Sequence, residues 1–205
     1  MIRTPLNLVA SFSMVLLVAA CDPGEPTPPT GGGSSGGGSS GGGSSGGGSS
    51  GGGSSGGGSS GGGSSSYPEY ATTILTRLNA LRASGASCGG TWYGPVGAVA
   101  LDDALMNAAQ GHSADMAAAN YFDHNSLDGR TPWDRIADAG FAGRGVSENI
   151  AAGQQTADAA FDGWVDSPGH CRNLMGRDAT HMGIGYAYSA GSSYGAYWTQ
   201  DFGAR

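Results

Sequence analysis

The amino-acid sequence predicts a layered α+β domain in residues 67–205. Apolar residues recur with helical spacing through most of this region, and they alternate with a period of two near its end. Helices that precede a late β-hairpin are typical of a sheet whose faces are covered by helices. The region holds 139 residues (205 less the 66 before Tyr67), which is the usual size of one domain and enough to fold without a metal.

The first helix is predicted over residues 67–84. Ile74 and several leucines recur on one face, Arg82 falls off that face, and Gly85 ends the helix. The stretch 88–96 that follows is rich in glycine, and we expect an irregular loop there.

Two more helices are predicted from their capping residues. Asp102 or Asp103 caps a second helix that continues to about Asn120, with many alanines that permit close packing. Thr131 caps a short third helix, because a proline follows it and Asp134 stands in capping-box register.

The last third of the chain changes from helical to strand periodicity. A fourth helix is predicted over 157–166, and Pro168 opens a short fifth helix with Ser167 as its expected N-cap. Alternating residues in 182–188 and 194–202, joined by a Gly/Ser turn, predict a β-hairpin. A lone hairpin is marginal in water, so we expect a third strand or a helix to cover it.

The first 20 residues have the features of an export leader. Arg3 precedes a short apolar run that ends in Ala19-Ala20, directly before Cys21. The segment Leu17-Val18-Ala19-Ala20-Cys21 resembles the lipobox of bacterial lipoproteins, which implies removal of residues 1–20 and acylation of Cys21. The alternative is an ordinary signal peptide cleaved nearby, with Cys21 a bystander.

Residues 21–66 are predicted to be a disordered tether. A proline-rich stretch is followed by seven Gly-Gly-Gly-Ser-Ser repeats, which offer no apolar side chain to offset the entropy of ordering. A Gly/Ser chain of this length reaches roughly 30–35 Å. Such a tether holds a domain away from a membrane surface.

The three cysteines separate into one lipidation candidate and one pair. With Cys21 assigned to the leader, Cys88 and Cys171 remain inside the domain. Export to an oxidising compartment favours a disulfide between them, enclosing about 80 residues and contributing about 2–4 kcal/mol. A free redox pair is the alternative.

The charge balance restricts the partners. From Tyr67 onward, eight arginines stand against fourteen acidic residues, so the domain carries a net charge of −6. Phosphate backbones and anionic lipid surfaces repel such a domain, and nucleic acid is excluded as a partner. We expect a monomer.

Seven short motifs in chain order resemble the CAP superfamily (cysteine-rich secretory proteins, antigen 5 and pathogenesis-related 1), in particular its bacterial SCP-like branch. The resemblance covers nearly all of residues 70–203 and implies an α-β-α sandwich. The motifs are His112-Ser-Ala-Asp-Met116, Tyr121-Phe-Asp-His124, Asp128-Gly-Arg-Thr-Pro132, Ser147-Glu-Asn-Ile-Ala151, Ser167-Pro-Gly-His170, Met182-Gly-Ile-Gly-Tyr186 and Tyr197-Trp-Thr-Gln-Asp-Phe-Gly203.

The resemblance implies a cleft lined by His124, Glu148 and His170. In family members with a complete cleft, two histidines and two glutamates hold a divalent metal. The second glutamate, three residues after the helix tryptophan, is replaced here by Ser167. Two histidines and one carboxylate suffice to bind Zn²⁺ or another divalent cation with water in the open position. His112, on an apolar helical face, is interpreted as a core histidine.

We therefore expect an exported, lipid-anchored binding module whose His124/Glu148/His170 cleft holds a divalent metal or a small ligand. A metal-assisted hydrolase acting on peptide or cell-wall material is the first alternative. A structural or interaction protein without catalysis is the second. We assign no catalytic residue, because the chain has neither a H-E-x-x-H pair nor a G-x-S-x-G elbow.

Overall fold

The computed structural model describes two stretches of the chain, residues 17–21 and 67–205. The predicted leader (1–20) and tether (21–66) lie outside these stretches, apart from the backbone of 17–21. Among the described residues, no helix is both long and apolar enough to cross a membrane.

Five helices form in the described residues, and their caps agree with the sequence signals. They are α1 Glu69–Ser84, α2 Asp103–Ala119, α3 Pro132–Asp138, α4 Ala157–Asp166 and α5 Pro168–Leu174. Asp102 caps α2 by accepting from two backbone amides, and Asn120 ends that helix in the left-handed conformation. The capping box of Thr131 and Asp134 is confirmed.

One expected cap is only partly correct. Ser167 occupies the N-cap position of α5, but its side chain makes no capping hydrogen bond. The proline that follows it already has the backbone angle that a first helical turn needs, so the helix begins without the hydroxyl.

A five-stranded sheet forms the middle layer. Its strand order is β1-β5-β7-β6-β4, and the strands are β1 Leu17–Cys21, β4 Ala100–Leu101, β5 Arg144–Ala152, β6 His181–Tyr188 and β7 Ala196–Ala204. All neighbours are antiparallel except β4 and β6. The predicted hairpin is β6–β7, and β5 is the third strand that the hairpin requires.

A second, two-stranded sheet corrects the sequence analysis. The stretch 88–96 was expected to be irregular, yet β2 Ala86–Cys88 and β3 Thr91–Tyr93 pair in a short antiparallel hairpin. Gly89 and Gly90 make its two-residue turn, both with positive φ (59° and 86°). Glycine adopts this conformation without strain, so the glycines build the hairpin that they were expected to prevent.

Helices cover both faces of the large sheet. On one face α2 lies so close to β6 that an added Cβ at Gly183 or Gly185 would collide with the α2 backbone. On the other face α1 and α4 pack Ile74, Leu78 and Trp164 against the sheet. The layers are therefore those of the expected α-β-α sandwich.

Arg82 is buried, contrary to its expected position off the apolar face of α1. Its guanidinium donates to four backbone carbonyl oxygens, those of Gly97 (2.6 Å), Leu174 (2.7 Å), Gly176 (3.0 Å) and Ala179 (3.2 Å). Because every contact is with a distant segment, Arg82 joins α1 to the loops around β4 and β6.

The predicted disulfide between Cys88 and Cys171 is confirmed. The two Cα atoms lie 5.4 Å apart, and 83 residues separate the cysteines along the chain. The bond ties the β2–β3 hairpin to α5, the helix that carries His170.

Candidate functional site

Strand β5 divides its side chains between the two faces of the sheet. Neighbouring residues of a strand point to opposite faces. Glu148 pairs with Asp201 of β7 and turns toward α2 and α3, as does Ile150, which packs on Met116. Asn149 turns the other way, toward α5.

Glu148 is the centre of a buried polar cluster on the α2–α3 face. Its Oε1 lies 2.7 Å from Nδ1 of His124, and its Oε2 accepts from Nη2 of Arg135 at 2.5 Å. Glu148 is fully buried and Arg135 nearly so. A buried carboxylate needs partners of this kind, because an unpaired buried charge is strongly destabilising.

Arg135 also holds the loop that carries His124. Its Nη1 donates to the backbone oxygen of His124 at 2.9 Å and to Oγ of Ser126 at 3.2 Å. One guanidinium therefore fixes both the carboxylate and the loop that brings the histidine to it. The cluster is preorganised in the free protein.

Asp201 adds a second carboxyl group to the cluster. It is fully buried, and as an anion its two oxygens have no hydrogen-bond donor among the described residues. Burial and the charge of Glu148 raise the pKa of Asp201 well above its usual range, so it keeps its proton and donates to Glu148. Burial also raises the pKa of Glu148, to about 7, although Arg135 opposes the shift.

His124 has one ring nitrogen engaged and one unused. With a proton on Nδ1, the ring donates to Glu148 and leaves a lone pair on Nε2. Nε2 is buried and has no partner in the part of the chain that the structure describes. The carboxylate thus orients the imidazole and makes Nε2 a better acceptor or ligand.

A polar cavity of about 330 Å³ lies between α2 and α3 and borders the cluster at Arg135. His112 lines it, and its Nε2 lies 2.9 Å from the backbone oxygen of Asp123. Burial and the charge of Arg135 lower the pKa of His112 to about 3, so the ring is neutral. His112 is thus buried as expected, although its Nδ1 has no partner among the described residues.

The third predicted site residue, His170, is buried on α5. That helix is anchored to β5 by Asn173, whose amide donates to Oδ1 of Asn149 at 2.9 Å and to the backbone oxygen of Glu148 at 3.4 Å. The structure thus places His124 and Glu148 in direct contact and sets His170 on a helix attached to the same strand.

Two members of the cluster, Arg135 and Asp201, were not predicted. Asp201 had a readable signal, because it is a charged residue within an apolar strand and alternation puts it on the face of Tyr197 and Thr199. Arg135 had none, since an arginine in the short helix α3 reads as a solvated side chain.

Comparison with protein families decides the affiliation of the chain. Residues 75–202 match the model of the Cysteine-rich secretory protein family, CAP, over more than half of the chain. The protein belongs to the CAP family. The resemblance seen in the sequence motifs is thereby confirmed.

Relatives of this CAP domain are bacterial. Two are Bacillus subtilis proteins, YkwD (37% identical over 102 residues) and the membrane protein YlbC (35% over 101 residues). The matches cover 50% and 49% of this chain but only 38% and 27% of those relatives. The chain therefore spans well under half the length of either relative.

Solved structures confirm the fold. An extracellular protein with an SCP domain from Bacillus anthracis is 29% identical, with a TM-score of 0.53 over 66% of this chain and 40% of that one. An outer surface protein from Borrelia burgdorferi is 20% identical, with a TM-score of 0.53 over 65% of this chain and 91% of that one. The second likeness supports the fold alone.

The divalent metal implied by the family can be tested against this CAP domain's own atoms. Both oxygens of Glu148 are already engaged, one by a histidine and one by a guanidinium cation. Among the described residues, no three His, Cys, Asp or Glu side chains are arranged to hold a metal ion. As placed, Glu148 does not fit a direct metal ligand.

Proposed function

We propose that this CAP-family chain is an exported, lipid-anchored binding module that holds a small polar ligand beside the Glu148 cluster. One observation carries the proposal: Nε2 of His124 is an unused acceptor in an otherwise satisfied buried cluster next to a polar cavity. Small-molecule sites combine such a cavity with a few fixed polar groups.

The cluster supports binding because its charges are fixed before any ligand arrives. Arg135 holds the loop and the carboxylate together, so little further ordering accompanies ligand entry. The unused lone pair on His124 accepts a hydrogen bond, which favours a ligand with an N–H or O–H donor. Asp115 and Asp138, which also line the cavity, favour donors as well.

The leader and tether supply the anchoring part of the proposal. Acylation of Cys21 and the Gly/Ser repeats place the domain within roughly 30–35 Å of a membrane surface. The printed names of two relatives, an extracellular protein and a membrane protein, are consistent with that location. Cleavage before Cys21 removes most of β1 and leaves β5 as the outer strand of the sheet.

The metal hypothesis for His124, Glu148 and His170 stays a prediction, and so does the metal-assisted hydrolase. Binding of Zn²⁺ or another divalent cation through Glu148 requires the carboxylate to leave Arg135. Zinc must therefore disrupt the ion pair before the three residues can act as ligands. Calorimetry with Zn²⁺ on wild type, His124→Ala and His170→Ala tests this, and equal uptake by all three excludes these ligands.

Ligand-observed NMR tests the binding proposal. Acetamide, glycinamide and N-acetylglucosamine serve as small donor-bearing probes for the full chain. We expect at least one to bind wild type and to lose about tenfold in affinity with His124→Ala, which removes one hydrogen bond to a fixed group. His181→Ala, on the first residue of β6, is the matched control and keeps binding. Equal loss in both variants, or no binding by wild type, contradicts the proposal.

A further inference from the structure

A groove of about 240 Å³ lies on the other side of β5, across the seam closed by the disulfide. We call it the seam groove. Its polar lining comes from Tyr93, Ser147, Arg172, Asn173, Arg177 and Asp178. Tyr93 belongs to β3, Ser147 to β5, and the remaining residues to α5 or the turn that follows it.

The seam groove carries a local excess of positive charge in an acidic domain. Its one carboxylate, Asp178, is paired with Arg144 at 2.8 Å. Arg177 is exposed and makes no hydrogen bond or ion pair within the described residues. Arg172 is a second exposed guanidinium in the lining. With Asp178 neutralised by its partner, the two arginines favour an anion.

Ser147 supplies an independent sign that a ligand belongs in the groove. The residue is 3% exposed, and its Oγ has no hydrogen-bond partner among the described residues. An unsatisfied buried hydroxyl is costly, by about 1–3 kcal/mol, and is rare in native folds. A ligand hydroxyl in the groove would satisfy it.

The walls of the seam groove are held rigidly. Cys171 precedes Arg172 and is bonded to Cys88 of β2, so the disulfide fixes the hairpin that carries Tyr93 against α5. Asn173 attaches the same helix to β5 through Asn149 and Glu148. A preorganised site of this kind loses little entropy on binding.

We propose that the seam groove is a binding site for an acidic monosaccharide unit, a sugar ring that bears a carboxylate. The guanidinium groups of Arg172 and Arg177 pair with the carboxylate. Ser147 and Asn173 exchange hydrogen bonds with ring hydroxyls, and the half-buried ring of Tyr93 packs on the apolar face of the sugar. The volume is smaller than that of sites for drug-sized ligands, about 300–1,000 Å³, which suits one sugar unit.

This site differs from the one in the proposed function. Ser147 and Glu148 are consecutive in β5, so their side chains lie on opposite faces of the sheet. Binding at one site is therefore measurable when the other is disabled by mutation. Failure of the His124 site leaves the seam groove untouched, and the reverse also holds.

Isothermal titration of the full chain with D-glucuronate tests the inference, with D-glucose as the neutral counterpart and acetate as the bare carboxylate. We expect glucuronate to bind at least tenfold more tightly than either, because only glucuronate carries both recognition elements. Comparable binding of glucose removes the role of the arginines. Comparable binding of acetate reduces the site to an unspecific anion site. Either result, or no glucuronate binding at millimolar concentration, overturns the proposal.

Variants locate the binding in the groove. Arg177→Gln and Ser147→Ala should each weaken glucuronate binding, by about tenfold for the charge-assisted contact and less for the hydroxyl. Arg77→Gln is the matched control, because it removes the same charge from α1, where Arg77 pairs with Asp158 and Asp162. His124→Ala should leave glucuronate binding intact. Equal losses in Arg177→Gln and Arg77→Gln would assign the effect to overall charge and overturn the site.

Discussion

The two faces of β5 contrast in how they treat charge. Toward α2 and α3, Glu148 is sealed among His124, Arg135 and a protonated Asp201, and the charges satisfy one another. Toward α5, Ser147 lies in an open groove whose arginines exceed its free carboxylates. The comparison teaches that the first face maintains the fold and orients one histidine, whereas the second depends on a partner for completion.

Removal of Arg135 should break the buried face most severely. Arg135→Met keeps the length and apolar volume of the side chain but leaves the charge of Glu148 without its cation. We expect a loss of about 3–5 kcal/mol in the free energy of unfolding, the usual effect of unpairing a buried charge. Urea unfolding measures it.

The surface arginine Arg77 provides the control for that experiment. It pairs with Asp158 and Asp162 at exposed positions, so Arg77→Gln should lose no more than about 1 kcal/mol. If Arg135→Met is as mild as Arg77→Gln, the cluster is not the stabilising element described above.

Loss of the disulfide should affect the open face more than the buried one. Cys88→Ser with Cys171→Ser should lower the free energy of unfolding by about 2–4 kcal/mol, because the unfolded chain is no longer restricted. The hairpin that carries Tyr93 also loses its attachment to α5, so glucuronate binding should fall even where the double variant is folded. Probe binding at the His124 site should persist. Unchanged glucuronate affinity would show that the seam does not shape the groove.

The pH dependence of stability should separate the titrating groups of the buried face. The pKa of Glu148 is raised to about 7, so folded Glu148 holds its proton more tightly than unfolded Glu148. Its contribution is complete below about pH 4.5 and is lost as the pH rises through about 7, on the order of 2–3 kcal/mol. Glu148→Gln should flatten unfolding curves measured across this window.

His112 acts in the opposite direction. Its pKa is lowered to about 3, so the folded state resists protonation and the contribution of His112 is present above about pH 6.5. It is lost as the pH falls from there toward 3. His112→Asn should therefore be less sensitive to acid than wild type, and an unchanged acid limb would contradict the assignment.

The same contrast explains which features the sequence could predict. The bounds of α4 and the capping box of Thr131 depend on residues within one or two helical turns, and both are confirmed. Arg82 and Asp201 depend on partners that only the folded topology supplies: carbonyls more than 90 residues away in one case and Glu148 across β7 in the other. Their chemistry is long-range, and no local pattern announces it.

The finest test compares two buried serines on opposite faces of the sheet. Ser113 on α2 donates to Oγ1 of Thr199 at 2.9 Å, whereas Ser147 has no partner among the described residues. Ser113→Ala should lower the free energy of unfolding by about 1 kcal/mol, because it leaves the threonine hydroxyl unsatisfied. Ser147→Ala should change it by less than about 0.5 kcal/mol or raise it, since a costly buried hydroxyl is removed. Chemical unfolding of both variants under one condition measures the difference. If Ser147→Ala costs as much as Ser113→Ala, its hydroxyl already serves the fold and is not reserved for a ligand.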